Sequence, residues 1–223
     1  MITINGLTKT HGHTTPLAGI DLSIARGESV AVVGSQADGR TMLMRILATL
    51  TPPTSGTIAI GGLDIVADVF RVRRLVAYAG LEPIHANRLR VVEYLRLVAG
   101  ARGQSSAGAC IAADLVGLNG DPSIEMLGDG LRERLPLAAA LTSGADVILL
   151  EQPFRALDAL ATDRVCDWLV AARARGTTFI VADDQRVAGL CERTVVLRSG
   201  RVVEPSADGP PDRAPSVGEL VGA

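Results

Sequence analysis

Lysine is almost missing from this sequence: Lys9 is the only lysine among 22 basic residues, and arginine supplies the rest. Acidic residues number 24, so the net charge is -2 and there is no basic excess of the kind that nucleic-acid-binding proteins carry. The sequence contains no run of 18 apolar residues, the length at which a segment could span a bilayer. The first ten residues, MITINGLTKT, do not resemble a signal peptide. We therefore expect a soluble cytosolic chain with no nucleic-acid partner.

The spacing of the cysteines argues against a metal site. Cys110, Cys166 and Cys191 are odd in number and scattered, and their spacing matches no metal-binding pattern. We expect buried, reduced thiols at these positions. With 223 residues, of which 48% are hydrophobic, the chain is long enough for one sizeable core or two closely packed subdomains.

A glycine-rich stretch, GSQADGRT (34 to 41), follows the apolar run SVAVV and precedes a segment with apolar residues at helical spacing. Gly34 and Gly39 occupy the two glycine positions of the phosphate-loop pattern G-x-x-x-x-G-K-[ST], and Thr41 offers the hydroxyl that such loops give to Mg²⁺. The alternative is an ordinary turn between a strand and a helix, with no ligand.

Two residues of this stretch depart from the phosphate-loop pattern. Arg40 stands in the place of the lysine and keeps its positive charge, but its planar guanidinium is a poor geometric substitute for a compact ammonium. Asp38 adds a carboxylate that we expect to repel a triphosphate. The candidate nucleotide-binding residues here are Gly34, Ser35, Gln36, Asp38, Gly39, Arg40, Thr41 and Met42.

Strand-like and helix-like segments alternate along the chain, which predicts a parallel α/β core with an antiparallel β layer. The predicted strands cover 2 to 6, 20 to 24, 29 to 34, 56 to 62, 75 to 80, 146 to 151, 177 to 183, 193 to 200 and 201 to 204. The predicted helices cover 41 to 50, 91 to 101, 107 to 117, 130 to 142, 159 to 174 and 184 to 191. A proline-rich tail, 205 to 223, is expected to be flexible.

Five further segments carry a family resemblance, in one order and spacing. They are PTSGTIAIGG (53 to 62), RRLVAYAGLEP (73 to 83), MLGDGLRERLPLAAAL (126 to 141), DVILLEQPFRALD (146 to 158) and TTFIVADD (177 to 184). From about Thr3 to Glu204, the sequence resembles the nucleotide-binding subunit of an ATP-binding-cassette (ABC) transporter, and the stretch 47 to 80 further resembles the ABC-2 exporter group.

The resemblance implies a fold and a domain plan. The expected fold is an α/β P-loop NTPase core of the RecA type, with an antiparallel β-subdomain and an α-helical signature subdomain at about 84 to 140. One nucleotide-binding domain would cover 1 to 204, followed by the tail.

The resemblance also shows which family groups are replaced. The glutamate that polarises the attacking water falls on Gln152, an amide without basicity, and the preceding aspartate falls on Glu151. The Q-loop glutamine falls on Leu81, and the H-loop histidine falls on Asp183. The aromatic residue that stacks on adenine aligns with His11. Thr41 and Glu151 would be the remaining Mg²⁺ ligands.

The signature loop departs from the family in the same direction. The family sequence LSGGQ, which closes over the γ-phosphate of a partner subunit, has become LGDGL. Gly128 lacks the serine hydroxyl, Asp129 adds a negative charge, and Leu131 replaces the glutamine. Leu127 and Gly130 keep the family residues.

These replacements predict a catalytically degenerate subunit, a pseudo-ATPase in which no catalytic residue is expected and binding of ATP and Mg²⁺ is weak or absent. It would pair with a competent ABC ATPase subunit and dock on membrane-spanning subunits at the cytoplasmic face of the cell membrane, through a groove at 81 to 94. Two alternatives stay open: a slow but working ATPase subunit, and a soluble ABC-like scaffold or regulator.

Overall fold

The computed structural model describes residues 1 to 183 and 190 to 203. Most of the helix predicted at 184 to 191, and all of the tail at 205 to 223, lie outside the described residues. Among the residues that are described, no helix combines the length and the apolar content needed to cross a membrane.

A mostly parallel sheet forms the centre of the fold, in the strand order β10-β9-β3-β8-β7-β6. Its strands are β3 (Ser29–Val33), β6 (Val76–Ala79), β7 (Val147–Glu151), β8 (Thr178–Asp183), β9 (Arg193–Arg198) and β10 (Arg201–Val203). Every residue of β3 and β7 is buried, as expected for strands that are covered on both faces. Only β10 runs antiparallel to its neighbour in this sheet.

A second, antiparallel sheet has the order β2-β1-β4-β5. Its strands are β1 (Ile2–His11), β2 (Thr14–Ile24), β4 (Ser55–Ile60) and β5 (Leu63–Asp64). The predicted parallel core with an antiparallel layer is therefore confirmed, although β1 and β2 are each several residues longer than predicted. Their outer halves are exposed, and an exposed half-strand gives a weaker apolar signal in the sequence.

The helices confirm the predictions at 91 to 101 and 159 to 174. They are α1 (Arg40–Leu47), α2 (Val69–Leu75), α3 (Val91–Ala101), α4 (Gly108–Leu115), α5 (Asp129–Arg132), α6 (Leu135–Thr142) and α7 (Ala159–Ala174). The single helix predicted at 130 to 142 is wrong, because the chain forms α5 and α6 with a break between them. Pro136 lies in the first turn of α6, a position where its missing N–H costs nothing.

Alternate residues of β3 face two separate parts of the core. Val30 and Val32 pack in a cluster with the antiparallel sheet and α1, whereas Ala31 and Val33 pack in a cluster with α3, α4 and α6. The central sheet thus separates the antiparallel layer from the helices between 91 and 142. Residues on both faces of the sheet hold β3 in place, and β3 leads directly into the glycine-rich loop.

The prediction that all three cysteines are buried is wrong for Cys110. This residue lies on the outer side of α4, whose buried face consists of Ala109, Ala112 and Ala113. Cys166 is buried and Cys191 is partly buried, and burial raises the pKa of both thiols, to about 11 and about 12 respectively.

Arg102, just after α3, joins the helical region to the central sheet. Its guanidinium donates hydrogen bonds to the carbonyls of Ser143 (3.1 Å), Arg73 (3.2 Å), Arg74 (2.9 Å) and Val76 (3.0 Å). Several of these carbonyls lie at the ends of α2 and α6, where helices leave acceptors unsatisfied. Desolvation lowers the pKa of Arg102, yet the four acceptors fix the position of α3 relative to the sheet.

We expect Arg102→Ala to lower the free energy of unfolding by about 2 to 4 kcal/mol, because several carbonyls lose a charged donor at once. Arg96→Ala is the matched control, since Arg96 lies exposed on the same helix; its effect should stay within about 0.5 kcal/mol. Urea unfolding of both variants measures the difference. Equal values for the two variants would contradict this role of Arg102.

Candidate functional site

Three parallel strands bring the candidate residues to one edge of the central sheet. In the strand register, Val33 of β3 lies beside Asp183 of β8, and Ala182 lies beside Glu151 of β7. The residues at and after these strand ends are therefore neighbours in space. This edge, at the carboxyl ends of parallel strands, is where α/β proteins of this kind place their ligands.

The glycine-rich loop leaves β3 through two positions that require glycine. At Gly34, an added Cβ would lie 2.7 Å from the carbonyl oxygen of Leu197. At Gly39 the backbone is left-handed (φ 93°), and a Cβ would lie 2.1 Å from the carbonyl oxygen of Pro16. The loop is thus packed tightly between β2 and β9, and α1 begins directly after Gly39.

The carboxylate of Asp38 is held by donors of the chain itself. One oxygen accepts hydrogen bonds from the hydroxyl (2.6 Å) and the backbone N–H (2.9 Å) of Ser35, and the other accepts from the N–H of Ser199 (2.7 Å). These bonds, with that from the Ser35 hydroxyl first, lower the pKa of Asp38 to about 2. Gly200 adds a backbone bond to the Asp38 carbonyl (3.2 Å). Asp38 therefore ties the loop to the β9–β10 turn.

Arg40 turns back onto the loop. Its Nη1 donates to the carbonyl oxygen of Gly34 at 2.9 Å, and the residue is only 4% exposed. Its Nε is buried and has no hydrogen-bond partner within the described part of the chain. The cation that replaces the loop lysine is thus packed inside the protein and bound to a backbone carbonyl.

Glu151, at the end of β7, is buried and uses both carboxylate oxygens inside the protein. One accepts a hydrogen bond from the hydroxyl of Thr41, and the other accepts from the hydroxyl of Tyr78 (2.7 Å). Burial, followed by the contact with Glu151, raises the pKa of Tyr78, so its proton stays in this bond at physiological pH.

These contacts test whether ATP and Mg²⁺ fit the residues present. The two expected Mg²⁺ ligands, Thr41 and Glu151, are hydrogen-bonded to one another, and the N–H of Ser35 at the start of the loop is bonded to Asp38. Arg40 is directed away from solvent. The residues therefore do not fit MgATP in this arrangement.

Gln152 follows Glu151 in a left-handed conformation (φ 46°), with its N–H donating to the carbonyl oxygen of Ala182 at 2.9 Å. With Leu81 and Pro153 it lines a pocket of about 30 Å³ that is open to solvent. Leu81 and Gln152 thus lie at this edge of the sheet, near Glu151.

The remaining candidate residues lie on other elements or on the surface. Leu127 and Gly128 precede α5, and Asp129, Gly130 and Leu131 begin it; Leu127 is buried, whereas the other four are exposed. Among the described residues, no hydrogen bond joins this signature loop to the loop at 34 to 41. His11 is exposed at the end of β1, Gln36 is exposed in the loop, and Met42 is half-buried in α1.

Sequence reasoning missed three residues that shape the site: Tyr78, Ser199 and Arg134. Arg134 donates to the carbonyls of Ala156 (2.8 Å) and Val116 (2.9 Å) and so fixes the segment after Gln152. A tyrosine in the short apolar strand β6 was a detectable signal, because a buried hydroxyl needs a partner. The Ser199 contact uses a backbone N–H, which no sequence pattern shows.

We expect the bonds of Asp38 to stabilise the fold at neutral pH and to be lost in acid. A carboxyl whose pKa is lowered on folding contributes stability above its unfolded pKa of about 4, and this contribution disappears as the pH falls toward 2. The difference in unfolding free energy between wild type and Asp38→Ala should therefore be constant near pH 7 and shrink below about pH 4. Urea unfolding at several pH values measures it; a difference that grows in acid would contradict this.

Comparison with known proteins identifies the family. The sequence model described as "ABC transporter" matches residues 17 to 155. The daunorubicin resistance ATP-binding protein of Streptomyces coeruleorubidus is 30% identical over 216 residues, which cover 93% of this chain and 68% of the relative. An aliphatic sulfonates import ATP-binding protein of Xanthomonas axonopodis is 32% identical, with 97% of this chain and 75% of the relative covered.

Solved structures agree on the fold. The ATP-binding subunit of an ABC transporter superposes with a TM-score of 0.83 over 91% of this chain and 88% of that chain, at 23% identity. A dimeric ATP-binding cassette bound to ADP and Pi gives 0.81, at 22% identity, over 92% and 97%. Domains of this family bind ATP and Mg²⁺ and work with membrane-spanning subunits. The family match over more than half of the sequence shows that this chain belongs to the ABC transporter family as an ATP-binding domain.

Proposed function

We propose that this chain is a pseudo-ATPase, the structural or regulatory half of a heteromeric ABC transporter. In this role it pairs with a second ABC ATPase chain that hydrolyses ATP, and both chains dock on membrane-spanning subunits at the cytoplasmic face of the membrane. The domain would cover 1 to 204, with its helical subdomain at about 84 to 140.

One observation carries the proposal: Gln152 stands at the position after β7 where family members place their general base. The backbone there is held by the bond from the Gln152 N–H to Ala182, so the side chain at this position starts from the sheet edge beside Glu151. An amide cannot accept a proton from water at neutral pH. Loss of a general base alone lowers a rate by about 10² to 10⁴.

The neighbouring positions support the same conclusion. Leu81 lines the pocket next to Gln152 without a polar group, and Asp183 adds negative charge beside the start of the loop. In the signature loop, Asp129 is exposed at the start of α5, on the surface that would meet a partner subunit's phosphate. Each change weakens a different contact to a terminal phosphate, so their effects on the rate multiply.

A slow, working ATPase is the second candidate. The residue types of Thr41 and Glu151 support it, because a hydroxyl and a carboxylate are the oxygen groups with which the family holds Mg²⁺. A slow ATPase would require their mutual hydrogen bond to break, so that both groups could bind the ion.

For the direction of transport, we propose export. The resemblance of the stretch 47 to 80 to ABC-2 exporters supports this, whereas the relatives compared above include an import protein.

We expect the purified chain to release no phosphate from ATP above the level of a heat-inactivated sample. Gln152→Glu should stay equally inactive, because the returned carboxylate acts on a nucleotide that the other residues do not hold. A malachite-green assay over a range of ATP and Mg²⁺ concentrations measures this. Steady turnover by the wild-type chain alone would refute the pseudo-ATPase and favour the slow enzyme.

A pull-down from native membranes tests the heteromeric assembly. We expect the tagged chain to recover membrane-spanning subunits together with a second ABC ATPase whose sequence keeps the glutamate after its own β7 strand. Recovery of the chain as a homodimer with membrane subunits would contradict the heteromer. Recovery without any membrane protein would favour a scaffold that acts outside a transporter.

A further inference from the structure

Two carboxylates of this chain accept hydrogen bonds from groups of the glycine-rich loop, one on the phosphate side and one on the metal side. On the phosphate side, Asp38 accepts from both the backbone N–H and the hydroxyl of Ser35, at the start of the loop. Phosphate loops bind their ligand through backbone N–H groups of this kind, which point into the loop. Asp38 thus gives the loop an anion from within its own sequence.

On the metal side, Glu151 accepts the hydroxyl proton of Thr41 directly. In a loop that holds Mg²⁺, this hydroxyl turns its oxygen toward the ion, while the carboxylate binds the ion or its water. The direct bond leaves no space for an ion between the two groups. The second oxygen of Glu151 is fixed by Tyr78 at 2.7 Å, so the carboxylate cannot rotate aside without breaking another buried bond.

A third contact closes the loop across its mouth. Arg40 is only 4% exposed, and its guanidinium donates to the carbonyl of Gly34. This bond connects the end of the loop to its start. A guanidinium bound in this way cannot reach a phosphate unless this bond breaks and the side chain leaves the interior.

The geometry points to an internal latch that holds the phosphate loop shut against nucleotide, made of the contacts Asp38–Ser35, Thr41–Glu151 and Arg40–Gly34. The latch rests on the proposed function, in which this subunit does not use ATP, and it goes further. It gives the loss of nucleotide binding a cause that is separate from the loss of the catalytic base. It also predicts that substitutions in the latch restore nucleotide binding.

Each part of the latch opposes a different part of the ligand. Asp38 competes with the phosphates for the Ser35 donors and repels their charge, whether or not a metal is present. Glu151 competes with the metal ion, so its effect depends on Mg²⁺. Breaking the Glu151 contact should therefore raise ATP affinity only with Mg²⁺, whereas breaking the Asp38 contact should raise it with or without Mg²⁺. A general loosening of the fold would not produce this difference.

The test measures binding of ATP to the purified full-length chain by equilibrium dialysis, with Mg²⁺ and with EDTA. We expect Asp38→Ser to bind ATP about tenfold more tightly than wild type under both conditions. Glu151→Asp, which withdraws the carboxylate by one methylene, should gain affinity with Mg²⁺ and not with EDTA. Arg40→Lys combined with both should bind more tightly than either single variant.

Asp64→Ser is the matched control. The carboxylate of Asp64 likewise accepts two backbone N–H bonds, from Val66 and Ala67 at 2.8 Å each, but Asp64 lies at the end of β5 in the other sheet. The ATP affinity of the Asp64→Ser variant should equal that of wild type. The latch is overturned if Asp38→Ser binds ATP no better than Asp64→Ser, or if the gain of Glu151→Asp is the same with EDTA.

Hydrogen exchange on the wild-type chain keeps the test independent of whether the variants fold. The amides of Ser35 and Ser199, which both donate to Asp38, should be protected without nucleotide, and MgATP should not change their exchange. Rapid exchange that slows when MgATP is added would overturn the latch. The proposed function fails separately, through ATP turnover by the wild-type chain, whatever the affinities of the variants.

Discussion

The register of three parallel strands is the constraint on which the site depends. Val33 lies beside Asp183, and Ala182 beside Glu151, so the chain segments that follow β3, β7 and β8 meet at one edge of the sheet. Residues buried on both faces of the sheet enforce this register. The edge is therefore maintained whichever side chains occupy it, and substitutions there change its chemistry without dispersing it.

The proposed latch depends on the length of the Glu151 side chain. Glu151 starts from a buried strand end, and Thr41 starts from the first turn of α1, so packing holds both backbones in place. The longer side chain reaches the hydroxyl directly. Tyr78 on the neighbouring strand β6 then completes a small polar network, whose buried groups all have partners inside the protein.

Much of the fold could be predicted from the sequence, because buried parallel strands such as β7 are continuous apolar runs and the glycines punctuate them. The break between α5 and α6 was missed, since helical spacing continues across it and only Pro136 marks the new start. Helix α2 was also missed, because one buried residue, Val72, gives no periodic pattern. In the site, the types of residue were readable, but their partners were not: Asp38 is bound by Ser199, 161 positions away.

In the proposed function, replacement of the base and closure of the loop act on different steps, and this separates two ways in which a subunit can lose activity. Replacing the base affects only hydrolysis, so a subunit changed at Gln152 alone would still close on ATP and release it slowly. Contacts such as those of Asp38 and Arg40 satisfy the loop before any ligand arrives. A nucleotide can open such a loop only to the extent that it binds the open form more tightly than the closed form. In a heterodimer built this way, nucleotide-dependent closure would be driven by the loop of the partner subunit.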